Sequence, residues 1–260
     1  MAAAARLTAA APATAGRRIT MLRAAIIVTV LAAWEALAAS GLLFRDVVPS
    51  LTAIFQAVGR LLATADFYNH LGITAAEVGA GLAIGGLCGL ATGIFLGANR
   101  FAAHAYEALI YYLGPTPKII FFPVMIMWFG VGPGSKIAMA ALSCFFPIAI
   151  STASGMRQID KVLIRVGRSF RATTWQMVRK IYLPAMRQPV VNGVRLGLGV
   201  AIIGTLLAET KLSNRGIGYL IIQAYSTFDM PRMYALLIVL FVAAIGANAV
   251  IGQFSNTDRR

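Results

Sequence analysis

Long apolar blocks follow one another along this chain, separated by short polar stretches in which arginine is the commonest charge. A helix needs about 20 mostly apolar residues to cross the hydrocarbon core of a bilayer. Segments at roughly 22–43, 74–98, 104–130, 135–155, 189–210 and 232–254 meet that length. The pattern therefore predicts an all-α, polytopic membrane protein of about six transmembrane helices. The third block contains Pro115, Pro117 and Pro123. Prolines within a span free backbone carbonyls that only neighbouring protein or a water-filled cavity can satisfy, so this block is expected inside a bundle, away from lipid.

Two shorter patterns lie between the blocks. Residues 49–65 open on Pro49-Ser50 and place Leu51, Ile54, Phe55, Val58, Leu61 and Leu62 at helical spacing, which predicts an amphipathic helix on a membrane surface. Residues 212–230 carry Gly216, Gly218, Tyr219, Ile221, Ile222 and Tyr225, a short gate-like element between the last two blocks. The second and fifth blocks are rich in small residues, with Gly79, Gly81, Gly85, Gly86, Gly89 and Gly93 in one and Gly193, Gly197, Gly199 and Gly204 in the other. Such residues let helix backbones approach closely.

Composition agrees with a lipid solvent. Hydrophobic residues make up 59% of the 260 positions and charged residues 12%, about half the charge of a soluble domain. The net charge of +14 would suggest nucleic acid in a soluble protein. Here the aromatics sit in the apolar blocks and not among the basic residues, so no nucleic-acid role is expected. Cys88 and Cys144 fall inside apolar runs far from His70 and His104; they read as small core residues, and no metal site is expected. Residues 1–21 form an Ala-rich basic segment, expected to be a disordered cytoplasmic tail. The apolar run behind it lasts to about Leu43, longer than a signal-peptide core, so it reads as a retained helix. Residues 22–254 then form one membrane domain, and 255–260 a second tail.

Charge asymmetry gives the direction. With a cytoplasmic N-terminus, the inside holds Arg6, Arg17, Arg18, Arg23, Arg100, Arg157, Lys161, Arg165, Arg168, Arg171, Arg179, Lys180, Arg187, Arg259 and Arg260. The outside holds only Arg45, Arg60, Lys136, Lys211, Arg215 and Arg232. Positive charge gathers inside, which puts both termini in the cytoplasm.

The longest inside loop, 156–188, reads as two short helices. Asp160 can cap the first, which lines up Val162, Leu163, Val166 and Phe170 on one side and Arg157, Lys161, Arg165 and Arg168 on another. Thr173 and Gln176 have capping-box spacing at the start of the second. Trp175, Val178, Ile181 and Tyr182 make its apolar stripe, and Leu183-Pro184 should end it. From the residues alone this is a docking surface or a basic loop beside lipid headgroups.

The same stretch resembles the EAA loop of ABC importer permeases: Glu-Ala-Ala, three residues, Gly, nine residues, Ile, any residue, Leu-Pro. Gly167, Ile181, Leu183 and Pro184 stand in register, Gly167 replacing an Ala. Arg165 stands where that signature has Glu, and Arg171 where it has Gly. The resemblance continues through Pro115-Thr116-Pro117-Lys118, Pro123, Trp128-Phe129-Gly130-Val131-Gly132, Ser135-Lys136, Phe145-Phe146-Pro147-Ile148, Ala208-Glu209 and Gly216-Ile217-Gly218-Tyr219-Leu220-Ile221. These motifs look like the permeases of nitrate, sulfonate, taurine, bicarbonate and thiamine-precursor importers.

The resemblance implies a type I ABC importer permease fold. It further implies a pore made with a second permease subunit, most simply an identical copy, and two cytoplasmic ATPase subunits docked on the 156–188 loop. An outer substrate-binding protein would deliver the solute. The coupling residues would be Arg165, Val166, Gly167, Arg168, Arg171, Thr173, Trp175, Gln176, Ile181, Leu183 and Pro184. No phosphate-binding Gly-rich loop occurs in the chain, so it is read as a transport subunit with no catalytic residue or cofactor of its own, with ATP and Mg on the partner ATPase. Candidates for the translocation path are Pro117, Lys118, Pro123 and Glu209. A charge such as Lys118 within a span costs roughly 2.5–3.5 kcal/mol on the insertion scale. It could attract an anionic solute, pair with a carboxylate, or reach water in a cleft. Glu209 would support the gate or pair with Lys211; Glu35 and Glu77 would be hydrogen-bond partners within or between subunits. Two other classes stay open on the residues alone: an ion-coupled secondary transporter, and a scaffold recruiting a cytoplasmic protein.

Overall fold

The computed structural model describes residues 13–41 and 47–256, and their regular structure is helical. The helices are α1 (Ala13–Ser40), α2 (Leu51–Leu62), α3 (Ala65–Ala98), α4 (Arg100–Leu113), α5 (Phe122–Phe129), α6 (Pro133–Arg157), α7 (Lys161–Ser169), α8 (Thr174–Met177), α9 (Leu183–Lys211), α10 (Ile217–Ser226) and α11 (Met230–Asn256). Five continuous helical stretches are long and apolar enough to cross a membrane: α1, α3, α6, α8 through α9, and α11. The expected tails are only partly covered. Residues 1–12 and 257–260 lie outside the described residues, while residues 13–21 already belong to α1.

α6 is the centre of the packing, flanked by α3 on one side and α9 on the other. Every fourth residue of α3 from Gly81 to Gly97 faces α6. A Cβ added at Gly85 would strike Ala141 and Cys144, at Gly89 Phe145 and Ile148, and at Gly93 Ala149 and Thr152. On the other flank, Gly193, Gly197 and Gly204 of α9 lie against Ser151, Ile148 and Ser143. Dispersion between closely approaching backbones therefore holds the three helices together where lipid provides no hydrophobic drive. Cys144 is buried in this packing, whereas Cys88 is exposed and is not the core residue its apolar context suggested.

The third expected span is not one helix. α4 ends at Gly114, a 3-10 turn follows at Lys118–Phe121, and the axis turns by 92° into α5. Pro115 and Pro117 have no N–H to donate, so the ladder stops where they stand. Nor is this segment enclosed by its own chain: Tyr106, Leu109, Tyr112, Met127 and Trp128 are exposed.

A second departure concerns Leu183-Pro184, expected to end a short helix. Instead α8 passes through a π-helical turn at Val178–Tyr182 directly into α9. The Leu183 N–H bonds to the Val178 carbonyl, five residues back. The wider turn accommodates Pro184, whose missing N–H cannot continue the ordinary register.

α2 buries Ile54, Ala57 and Leu61, the last two in a cluster with α10 and α11 residues, and leaves Phe55 and Leu62 outward. α1 is tied to this corner by polar contacts. Trp34 Nε1 donates to the Pro49 carbonyl at 3.1 Å, and the Leu51 N–H donates to Glu35 Oε2 at 2.9 Å. The Trp34 ring also meets Tyr234 of α11 edge-on.

Candidate functional site

At one end of the bundle α7 and α8 fold over each other. Asp160 caps α7, accepting from the Val162 N–H at 2.7 Å. The capping box expected of Thr173 and Gln176 is formed, with Gln176 N donating to Thr173 Oγ1 at 3.3 Å and Thr173 N to Gln176 Oε1 at 2.9 Å. The inner side of α7 is Ile164 and the buried Gly167. A methyl built on Gly167 would stand 2.5 Å from Met177 Sδ and 2.7 Å from Ile181 Cδ1. The stripe of Val162, Leu163, Val166 and Phe170 faces outward, contrary to the usual burial of an apolar helix side, with Phe170 at 83% exposure. Trp175 of α8 is 68% exposed. Arg165, Arg168 and Arg171 are exposed around this apolar surface.

α7 ends in a Schellman motif. The Arg171 N–H donates to the Arg168 carbonyl at 2.9 Å, and the Ala172 N–H to the Gly167 carbonyl at 3.0 Å. Arg171 holds φ of 50°, the left-handed conformation glycine adopts at little cost. At the same end Arg157, the last residue of α6, makes a two-pronged ion pair with Glu107 of α4, at 2.5 and 2.6 Å. Tyr111, one turn beyond Glu107, lies within reach of the same guanidinium.

Two cavities run between α4, α6 and α9. The one in the middle of the bundle, about 520 Å³, is walled by Pro115, Pro117, Phe146, Pro147, Val200 and Leu207, with Lys118 and Ser143 as its polar side chains apart from Tyr111. Lys118 Nζ donates to the Gly114 carbonyl and, at 3.1 Å, to the Thr116 carbonyl. It also sits 5.0 Å from the centre of the Phe146 ring. Its ammonium thus satisfies carbonyls freed by the proline break, and uses two of its three donors to do so. The second cavity, about 620 Å³, opens near the α7 end and is polar, with Ser151, Ser154, Gln158, Gln188 and Asn192 in its wall. Tyr111 and Ile150 line both cavities.

At the far end of the bundle α10 is held by its first N–H groups. Gly216 N donates to His70 Nδ1 at 2.9 Å, Ile217 N to Thr74 Oγ1 at 2.8 Å, and Gly218 N to Glu209 Oε2 at 2.6 Å. The Thr74 hydroxyl in turn donates to Glu209 Oε1 at 2.7 Å. Side chains from α3 and α9 thereby meet three of the orphan donors of the helix. Because His70 Nδ1 accepts, the ring proton is on Nε2, facing Asp66. Gly216 has φ of 97°, and a Cβ there would collide with the Glu209 carboxylate. Glu77 lies carboxyl to carboxyl with Glu209, and Lys136 is within electrostatic reach of both.

Of the path candidates, the middle cavity brings together Pro117 and Lys118. Pro123 stands in the first turn of α5, outside that wall. Glu209 is 1% exposed beneath α10 and pairs with Thr74 and Gly218. Lys136, counted as a loop charge, is 2% exposed within α6 and donates to the Val131 and Gly132 carbonyls. Sequence reasoning missed Tyr111, Ser143, His70 and Thr74. For the last two a signal existed: His70, Thr74 and Glu77 make a polar stripe along one side of an otherwise apolar helix.

Residues 81–256 match the family described as "Binding-protein-dependent transport system inner membrane component". The chain is 30% identical to the aliphatic sulfonates transport permease protein SsuC of Bacillus subtilis, over 88% of this chain and 80% of that protein. It is 27% identical to the taurine transport system permease protein TauC of Escherichia coli, over 72% of this chain and 69% of that one. A similar 27% relates it to the formylaminopyrimidine transport permease protein ThiX of Halalkalibacterium halodurans, over 73% of this chain and 76% of that one. Among solved structures, an inward-facing form of the MetNI methionine ABC transporter shares the fold, with a TM-score of 0.58 at 19% identity, covering 78% of this chain and 97% of that one.

Proposed function

Because the chain belongs to the family of binding-protein-dependent transport system inner membrane components, we propose that its central cavity carries a small organic anion through an ATP-driven importer. The chain is a membrane-spanning ABC permease subunit and not an enzyme; it works with ATPase subunits that hydrolyse ATP. That membership removes the ion-coupled transporter and the recruiting scaffold as readings. The observation that carries the substrate class is Lys118: one ammonium in a wall that is apolar but for Ser143 and Tyr111, with a third donor beyond the two used by carbonyls. Such a wall suits a solute with a charged head and an apolar body. Relatives named for aliphatic sulfonates and taurine handle solutes of that kind. The polar second cavity, sharing Tyr111 and Ile150 with the first, serves as the exit toward the α7 end.

In this reading the α7 end is cytoplasmic, as are both termini, and the membrane is the bacterial inner membrane. Two ATPase subunits, holding ATP and Mg, receive the exposed Phe170, Val166, Leu163 and Trp175 surface with Arg165, Arg168 and Arg171 around it. A second copy of the permease covers the bent α4–α5 segment, whose exposed apolar side chains and interrupted backbone are unsuited to lipid. An outer binding protein presents the solute at the α10 end. The test is uptake into vesicles holding the complex of permease, ATPase and binding protein, with an alkyl sulfonate as solute. Lys118→Met is expected to reduce uptake while the complex still assembles. Full uptake by that variant would leave Lys118 a purely structural cap of α4.

A further inference from the structure

A guanidinium on the outer surface of the bundle has no role in the path, the docking loop or the α10 anchor. Arg195 lies midway along α9, exposed, on the side facing α11. Its Nε donates to Asn248 Oδ1 of α11 at 2.8 Å. A Cβ built on Gly252 would be 3.6 Å from Arg195 Cζ, 3.7 Å from Nη1 and 3.8 Å from Nη2. The guanidinium therefore extends along α11 from Asn248 toward Gly252, one turn nearer the α7 end. Asn248 fixes the plane of the guanidinium through Nε, which leaves the Nη1 and Nη2 edge as a two-pronged fork. Glu107 pairs with Arg157, and Asp66 faces the neutral ring of His70; Arg195 takes part in neither contact.

The depth of this fork is informative. α11 has 27 residues, which at 1.5 Å each is about 40 Å, against about 30 Å of hydrocarbon. Asn248 stands about 12 Å from the Asn256 end of the helix. A guanidinium held there by Asn248 and directed toward that end reaches the boundary between acyl chains and headgroups, as long cationic side chains do near span ends. Two kinds of neighbour could meet it, a lipid or a second copy of the chain. A second copy has little to offer at this level. At this end Glu107 is already held by Arg157, and Asp160 already caps α7. The other described carboxylates lie toward the α10 end, among them Glu35, Asp66, Glu77 and Glu209.

We propose that Arg195, oriented by Asn248 and bedded on Gly252, is a binding site for the phosphodiester of an anionic phospholipid in the leaflet on the α7 side. Paired N–H groups of arginine match two phosphate oxygens in one plane, and a net-negative headgroup adds attraction that a zwitterionic one lacks. Which leaflet this is follows from the orientation proposed above; the chemistry of the site does not depend on it.

The experiment is native mass spectrometry of the permease purified with its ATPase, after incubation with equal amounts of phosphatidylglycerol and phosphatidylcholine. Wild type is expected to retain phosphatidylglycerol preferentially. Arg195→Gln is expected to lower that preference by about fivefold or more, with Asn248→Leu intermediate because the fork loses its orientation but keeps its charge. Arg195→Lys supplies a point charge without the fork and should fall between wild type and Arg195→Gln, which keeps the result readable if the glutamine variant assembles poorly. Inorganic phosphate at millimolar concentration is expected not to displace the lipid. An unchanged lipid preference in Arg195→Gln overturns the proposal. So does displacement by inorganic phosphate, which would mark a free-anion site, or a change in subunit stoichiometry with lipid binding intact, which would mark an interface between copies. None of these readings depends on which solute the complex carries.

Discussion

Thr74 and Glu209 meet at 2.7 Å across the bundle, and the pair stands under the first turn of α10. The hydroxyl donates to the carboxylate and at the same time accepts from Ile217 N, so one small side chain on α3 links α9 to α10. Thr74→Val keeps the shape and removes both bonds, leaving a buried carboxylate oxygen and a buried N–H short of a partner. Each unsatisfied group costs about 1–3 kcal/mol, and Thr74→Ser should recover most of the loss. Thermal unfolding in detergent is the measurement; a valine variant as stable as wild type would show the hydroxyl to be dispensable.

Gly167 and Met177 give a second prediction. Gly167→Ala restores the residue that permeases with this loop carry, yet here it drives a methyl into Met177 Sδ and Ile181 Cδ1. Overpacking of this kind costs roughly 1–3 kcal/mol where the neighbours cannot yield. Met177 is flexible and the cost should fall at the low end. Adding Met177→Ala should restore the packing of α7 on α8. Stimulation of the ATPase, compared across the two single changes and the double, reads this directly: the double variant should exceed Gly167→Ala.

The two departures of the loop separate in a third. Arg171 is held at φ of 50°, so Arg171→Gly removes a strain of about 1–2 kcal/mol and should leave the end of α7 in place. Arg165 is exposed on α7, and in the proposed docking Arg165→Glu reverses the charge offered to the ATPase. We expect Arg171→Gly to preserve stimulation by the native ATPase and Arg165→Glu to weaken it, the more so at low ionic strength. Equal stimulation in both variants would make the arginine at 165 a neutral replacement.

Arg157 and Glu107 supply the fourth. Their two-pronged contact joins α6, where it enters the docking loop, to α4, which carries Tyr111 into both cavities. A partly exposed pair of this kind adds at most about 1 kcal/mol to stability, so its loss should show in coupling and not in folding. Glu107→Arg or Arg157→Glu alone should raise the ATP consumed per solute moved, and the exchanged pair Glu107→Arg with Arg157→Glu should bring it back. Failure of the exchange to recover coupling would confine the pair to a local role.

Much of this was readable in advance because lipid enforces simple rules. A span must be long and apolar, so the blocks around α1, α3, α6, α9 and α11 announce themselves. Caps follow from local chemistry, so Asp160, Thr173 and Gln176 did as well. What escaped depends on which backbone group lacks a partner, and that is a property of the assembled chain. Pro115 and Pro117 signalled a break but not a right-angled one, and nothing local told that Lys118 would turn back to close the carbonyls. Leu183-Pro184 looked like an ending because proline usually ends a helix; a single wider turn let the chain continue. Lys136 looked like a loop charge because its two carbonyl partners and the buried carboxylates near it come from a turn and from distant helices.

The glycine run on α3 bears on how force can travel. With Gly81, Gly85, Gly89, Gly93 and Gly97 each seated on α6, sliding either helix along the other would lift every contact out of its seat at once. α3, α6 and α9 are thus locked against sliding along one another. A push delivered at α7 and α8 cannot be absorbed by sliding within those three helices. It is left to the points where the ladder is interrupted: the π-turn before α9, the right-angled bend before α5, and Pro147 and Pro189 within α6 and α9. The parts of the molecule that bend are the places where proline has broken the backbone, and the glycines are what keep everything else from giving way.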